Sequence, residues 1–234
     1  MDNTTSMDHV EFTDRRSLPM MALRGLTVFP GMMLTFEVER SMSIAALNMA
    51  MSDDQIIYLV PQIDIATDIP TPEDVYGVGT VCRIKQMMKQ PGSKTVRVMA
   101  EGIERGRTLA VRTDMPCFVA EVEPMPDVAE RKTARIEALI RHCCNLFDAY
   151  VTVSGNMAPE SVITVLGSTN AGFVSNFIAQ HVFLRPEQKQ ELLEQTRPSR
   201  RLTLLSKMLL HETSVLGLQH QLEEAAQDLS LIHI

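Results

Sequence analysis

The sequence predicts an α+β protein: a β-rich first part, then an α-helical part that ends in one long helix. Three observations predict it. Eight prolines and seven glycines fall at or before Pro124, against four of each after it. Apolar, β-branched runs on either side of Gln90-Pro91-Gly92-Ser93 read as a hairpin. After Pro126 the apolar period becomes that of a helix, with Ile136, Leu139, Ile140, Cys143, Phe147 and Tyr150 on one face.

In the first part, Met32 to Val38 alternates imperfectly as a strand. Gln55 to Val60 is a short apolar run between Asp53-Asp54 and Pro61. Val81 to Met87 and Lys94 to Ala100 flank the turn, where Pro91 fixes φ and Gly92 supplies a positive one. Cys82 and Ile84 are expected on one face with Arg83 and Lys85 on the other; Val96 and Val98 oppose Arg97 in the same way. Arg105 to Val111 and Cys117 to Val122 bring the total to about six strands, enough for a small barrel or a sandwich. Ser43 to Met51 is a helix, with Ile44, Leu47 and Met51 at helical spacing.

In the second part, Ser154 to Asn156 breaks the first long helix. Pro159 starts a short one to about Leu166, and Gly172 to Phe183 forms another, with Val174, Phe177, Ile178 and His181 on one stripe. Pro186 opens a helix carrying Leu192 and Leu193. Pro198 opens the last, running from Ser199 to at least Gln227. There Met208, Val215 and Leu222 recur every seven residues, as do Leu204, His211, Leu218 and Ala225, which predicts a heptad seam leading toward another module or chain.

Composition narrows the function. Apolar residues are 45% and charged residues 22% of the 234, so a folded core is expected. The net charge of −7 disfavours nucleic acid as a partner. No apolar run reaches the roughly 18 residues of a membrane helix. Asp2, Asp8, Glu11 and Asp14 argue against a leader peptide, so a cytoplasmic location is expected. The four cysteines lack C-x-x-C spacing and read as buried thiols. With 16 methionines and no tryptophan, the chain has side chains that repack around unlike apolar partners.

Catalytic constellations are not found. No phosphate-cradling G-x-x-x-x-G-K-[ST], G-x-S-x-G or H-E-x-x-H occurs. Gly77-Val78-Gly79 lacks a third glycine at the dinucleotide offset. His211-Glu212 is followed by Val215 where a second zinc-binding histidine would stand. His142, Cys143 and Cys144 diverge by about 100° per helical residue and cannot converge on one ion without further ligands, and Ser206-Lys207 diverges likewise. No catalytic, cofactor-binding or metal-binding residue is therefore assigned. The basic hairpin residues (Arg83, Lys85, Lys89, Lys94, Arg97) lack interleaved aromatics for base stacking. Paired Met87 and Met88 beside Pro91 form one candidate contact for apolar peptide, and Met208, Val215, Leu218 and Leu222 of the seam form a second.

Leu18-Pro19-Met20-Met21-Ala22-Leu23-Arg24, followed by Phe29-Pro30-Gly31, resembles the opening of the Lon protease N-terminal domain. An edge strand followed by a Pro-Gly turn is the expected geometry there. Arg40 to Leu47, Asp74 to Val81 and Glu101 to Arg107 are similar to later blocks of that family in the same order. Glu187 to Glu194 and the long helix are similar to its helical subdomain, with departures at Gly25 and across Arg197 to Arg201. The resemblance implies a PUA-like β pseudo-barrel, an α-helical bundle and a long helix running toward a coiled coil. It divides the chain into a flexible 1–16, a β-rich 17–124, a helical 125–198, a long helix 199–228 and an apolar tail 229–234. That tail, Leu-Ser-Leu-Ile-His-Ile, reads as translated adapter DNA, so the chain is expected to be a truncated record of a longer protein. The implied function is a substrate-recognition and assembly module of an ATP-dependent serine endopeptidase. Its implied partners are unfolded or tagged proteins and five further copies in a homohexamer; ATP and Mg belong to the full-length parent. Three alternatives remain: a stand-alone binding protein of the same family, a PUA-like RNA-binding module, or a pure assembly scaffold.

Overall fold

The structure, a computed structural model, describes residues 15–89, 92, 94–155 and 159–232, with the side chains of 159–161 and 224–232 left out of the description. Six strands and six helices follow in the order β1 (Arg16–Leu23), β2 (Met33–Val38), α1 (Ser41–Met51), β3 (Ile56–Pro61), β4 (Val78–Lys89), β5 (Val96–Arg112), β6 (Phe118–Pro124), α2 (Ala134–Ser154), α3 (Pro159–Leu166), α4 (Ala171–His181), α5 (Pro186–Glu194) and α6 (Pro198–Ile232). The α+β reading holds, with strands and helices segregated along the chain.

The strands lie in the order β2-β5-β4-β3-β1-β6, and β6 also pairs with β5, so five strands close on themselves and β2 hangs on the outside. Closure depends on β5. The sequence suggested two strands here, Lys94 to Ala100 and Arg105 to Val111, but they form one strand of 17 residues. Its first third pairs with β2 and its last third with β6. The change of partner falls near Gly102, whose amide donates to Met32 at 2.8 Å and whose carbonyl accepts from Gly31 at 2.8 Å. A Cβ at Gly102 would stand 2.5 Å from the Phe29 carbonyl oxygen, so only glycine lets these backbones approach.

β1 corrects a second expectation. It is an interior strand, antiparallel to β6 through Arg16–Met20 and parallel to β3 through Met20–Leu23. Pro19 is tolerated because it precedes the β3 ladder and has a paired neighbour on one side alone. Arg16 lies in this ladder opposite Val122, within the stretch expected to be flexible. β1, β3 and β6 are buried on both faces: Leu18, Met20, Tyr58 and Ala120 feed one cluster, and Met21, Leu23, Ile57, Leu59 and Val119 another that α1 covers with Ala46, Leu47 and Ala50. That double burial explains the apolar runs without clean alternation. From residue 82 to 85 the hairpin alternates, with Cys82 and Ile84 buried and Arg83 and Lys85 exposed, until a register shift between Ile84 and Gln86. Gly92 has the positive φ, 79°, that the turn requires; Gln90, Pro91 and Ser93 lie outside the described residues.

The helical lobe packs α2, α4 and α6 around Phe147, Ile178, Leu202 and Leu205. Thr133 caps α2 by accepting from the Ile136 amide at 3.3 Å, and Asn170 caps α4 by accepting from Phe173 at 3.0 Å. The two lobes meet in this helical cluster. Phe29, Met32 and Val78 of the barrel are buried in the helical cluster.

Candidate binding surfaces

The lobe junction is polar at its centre. Arg105 of β5 and Arg201 of α6 are 3% and 0% exposed, and both bind Asp127, which lies between β6 and α2. Arg105 reaches Asp127 Oδ1 at 2.9 Å, the Leu193 carbonyl at 2.7 Å and Asn176 Oδ1 at 2.6 Å. Arg201 donates to both Asp127 oxygens at 2.9 and 2.7 Å, to Ser175 Oγ at 2.8 Å and to the Gln195 carbonyl at 2.7 Å. Asn176 in turn donates to the Pro30 carbonyl at 3.0 Å. Burial holds the Arg105 guanidinium below its ordinary range; the Arg201 charge adds to that, and Asp127 opposes it. One carboxylate therefore holds two buried cations, a joint that fixes the lobes relative to each other.

Sequence reasoning missed this joint, although a signal existed. Arg201 occupies the core-facing position of an i, i+4, i+7 stripe with Leu205 and Met208, where a charge is out of place unless it is paired.

Of the sequence-predicted contact residues, Met87 and Met88 face opposite sides of β4. Met87 packs partly buried against the barrel cluster and Met88 is 46% exposed, so they do not make one patch. Pro91 lies outside the described residues. The α6 seam also divides. Met208 is 8% exposed and belongs to the helical core, whereas Val215, Leu218 and Leu222 are 44%, 60% and 71% exposed. The helix outruns its own lobe beyond residue 217, and the side chains of 218–223 are all exposed.

A further surface lies at the open end of the barrel. A groove of about 480 Å³ runs between β2 and the end of β1, lined by Met21, Leu26, Phe36, Glu37, Arg40 and Asp68 among others. A second, more apolar hollow of about 280 Å³ adjoins it, sharing Met21, Arg40 and Asp68 and adding Met42, Ile69 and Pro70. The loop from 62 to 70 forms part of the rim. Buried Gln62 pins it by donating to the Asp64 and Thr67 carbonyls at 3.1 and 2.8 Å, and Arg40 donates to Gln62 at 2.9 Å. Arg24 binds Asp68 at 2.7 Å. Burial lowers the Arg40 guanidinium from its ordinary value, and the Arg24 charge adds to this. So held, the loop displays Ile63, Ile65 and Ile69 to solvent.

The basic residues of the hairpin are partly neutralised. Lys85 meets Glu101 at 2.6 Å and Arg97 meets Glu37 at 2.8 Å. That pairing removes much of the field a phosphate backbone would need. Among the described residues no group of three or more His, Cys, Asp or Glu is placed to hold a metal ion, and no helix is long and apolar enough to cross a membrane.

Fold and surfaces together define a two-lobed α+β module with apolar hollows, a terminal strand that has one partner among the described residues, and an exposed helical ridge. A family model described as "ATP-dependent protease La (LON) substrate-binding domain" matches residues 17–211, and the chain belongs to that family. Among curated relatives, a Lon protease of Clostridioides difficile is 35% identical over 224 residues, 94% of this chain and 27% of its own length. A Lon protease of Desulforamulus reducens is 37% identical over 207 residues, 88% of this chain and 25% of its own length. The chain thus spans about a quarter of the length of the curated relatives it matches. Among solved structures, the N-terminal domain of Mycobacterium avium complex Lon protease shares the fold at a TM-score of 0.67 and 20% identity, covering 85% of this chain and 98% of that one. A Lon N-terminal domain protein from Xanthomonas campestris follows at 0.57 and 18%, covering 81% and 96%.

Proposed function

We propose that this chain is the substrate-recognition module of an ATP-dependent Lon-type serine endopeptidase, gripping unfolded polypeptide for chemistry performed elsewhere in the full-length protein. The observation that carries the proposal is family membership across residues 17–211, joined to apolar surface displayed on rigidly held elements. Exposed apolar side chains of an unfolded client bury area at roughly 25 cal/mol per Å². The cost of association leaves modest affinity per site. Weak, distributed contacts suit a module that must also release its client, and six copies in a homohexamer raise the effective affinity by avidity. Contacts are assigned to Met88, to Val215, Leu218 and Leu222, and to the groove with its isoleucine loop. ATP and Mg act in the remaining three-quarters of such a protein, and the setting is the cytoplasm.

The test is binding of a permanently unfolded protein, reduced and carboxymethylated lactalbumin, compared with its folded form. Selective binding of the unfolded form supports the reading; equal affinity for both, or none for either, overturns it.

A further inference from the structure

Among the described residues β2 is the terminal strand in the sheet order and pairs with β5 alone. A strand edge presents N–H and C=O groups at a spacing that another extended backbone matches. Side chains alternate along it: Met33, Thr35 and Glu37 are exposed, Leu34 and Val38 are buried, and Phe36 is half-buried. Beside this edge runs the 480 Å³ groove, with Leu26, Phe36 and Met21 in its lining. β1 is half-paired there as well. Its β6 ladder stops at Met20 opposite Phe118, so Met21, Ala22 and Leu23 pair with β3 and line the groove.

Charge selects the occupant. Glu37 and Glu39 lie two residues apart on the exposed side of the edge. Arg97 meets Glu37 at 2.8 Å, while Glu39 accepts from the Thr95 hydroxyl at 3.0 Å and has no ion pair among the described residues. Of the cations across the groove, Arg24 is ion-paired with Asp68, while Arg40 donates to the neutral Gln62 of the rim loop and keeps its charge. A second copy of β2 is a poor occupant, because self-pairing would bring two Glu39 carboxylates, neither ion-paired among the described residues, onto one face, and like charges across strands destabilise a sheet.

We propose that the β2 edge takes up an extended client segment as an added strand, apolar side chains turned into the groove and a Lys or Arg side chain over Glu39. This rests on the reading that the chain binds unfolded polypeptide, and it names where and in what conformation. Main-chain hydrogen bonds supply affinity without regard to sequence, and the alternating pockets supply the preference.

The test uses the full 234-residue chain and a labelled eight-residue Val-Lys repeat, followed by fluorescence anisotropy. Two further peptides carry backbone N-methyl groups, one on every valine and one on every lysine. An added strand turns one alternate set of amides to the protein and the other to solvent. One methylated peptide should lose about tenfold in affinity while the other keeps that of the parent. Glu39→Lys should weaken the Val-Lys peptide by roughly fivefold and favour a Val-Glu repeat. Equal binding by both methylated peptides, or no binding of the parent peptide while unfolded lactalbumin is captured, overturns the β2 assignment and leaves recognition standing. Failure to capture unfolded lactalbumin defeats the underlying reading. Sedimentation showing a dimer of the chain alone that Phe36→Ser abolishes would give the edge to a second copy, and would also overturn the proposal.

Discussion

Replacing Asp127 with alanine removes the one carboxylate that both buried guanidiniums share. Arg105 would keep its bonds to Leu193 and Asn176, and Arg201 its bonds to Ser175 and Gln195. Both charges would remain in the junction without a counter-ion, 3% and 0% exposed. Breaking a buried pair by deleting one partner costs about 3–5 kcal/mol. Asp127 itself is 29% exposed, so the lower end, about 3 kcal/mol, is expected. For a chain of this size that is a fall in Tm of roughly 6–12 °C. Urea unfolding followed by circular dichroism measures it, with an unchanged slope showing that stability alone has moved. Asp127→Asn, which keeps the shape and loses the charge, should fall most of the same distance. A loss under about 1 kcal/mol in both variants would refute the joint, since that is the range of an exposed ion pair.

Other expectations follow from the same geometry. Burial pushes the Tyr58 phenol up to about 12, with its hydrogen bond to Thr108 opposing. An acid whose folded pKa is raised stabilises the fold fully below its unfolded value near 10 and loses that contribution as pH rises through the folded value. Stability should therefore drop by about 2–3 kcal/mol between pH 10 and 12, and a Tyr58→Phe variant should show less of that drop. The four buried thiols, raised in the same direction by burial, should resist an aromatic disulfide reagent in the native chain and react together on unfolding. Gly102→Ala should destabilise by about 1–3 kcal/mol through its clash with the Phe29 carbonyl, read as a lower urea midpoint. Leu218→Glu with Leu222→Glu should leave stability within about 0.5 kcal/mol but reduce capture of unfolded lactalbumin, whereas Met208→Glu should unfold the helical lobe; equal stability losses would place the distal ridge in the core.

Helices were the most legible part of the sequence. The prolines at 159, 186 and 198 stand at the first positions of α3, α5 and α6, where a missing N–H costs nothing. The hairpin and the faces of residues 82–85 were legible too, because β4 is buried there on one face, but the register shifts after Val81 and Ile84 left no local sign. β1 and β5 were harder for opposite reasons. β1 is covered on both faces, so alternation is lost and an interior strand resembles an edge. β5 changes partners at Gly102 while staying extended, and a glycine with flanking charges reads locally as a break between strands. The heptad spacing in α6 was real, but spacing cannot say where a lobe ends. Met208 falls under α2 and α4 while Leu222 falls beyond them. The groove was illegible because it depends on which strand is left at the rim, a property of topology. Ile63, Ile65 and Ile69 in an Asp- and Pro-rich loop were its one local trace.

Recognition of unfolded polypeptide is tested most directly by titrating the full chain with labelled lactalbumin, reduced and carboxymethylated, against the same protein folded, at low and at moderate salt. Saturable binding of the unfolded form alone, weakened only mildly by salt, is the predicted result. Binding that ignores the folded state of the lactalbumin, or that vanishes with salt as phosphate-type contacts do, would contradict it.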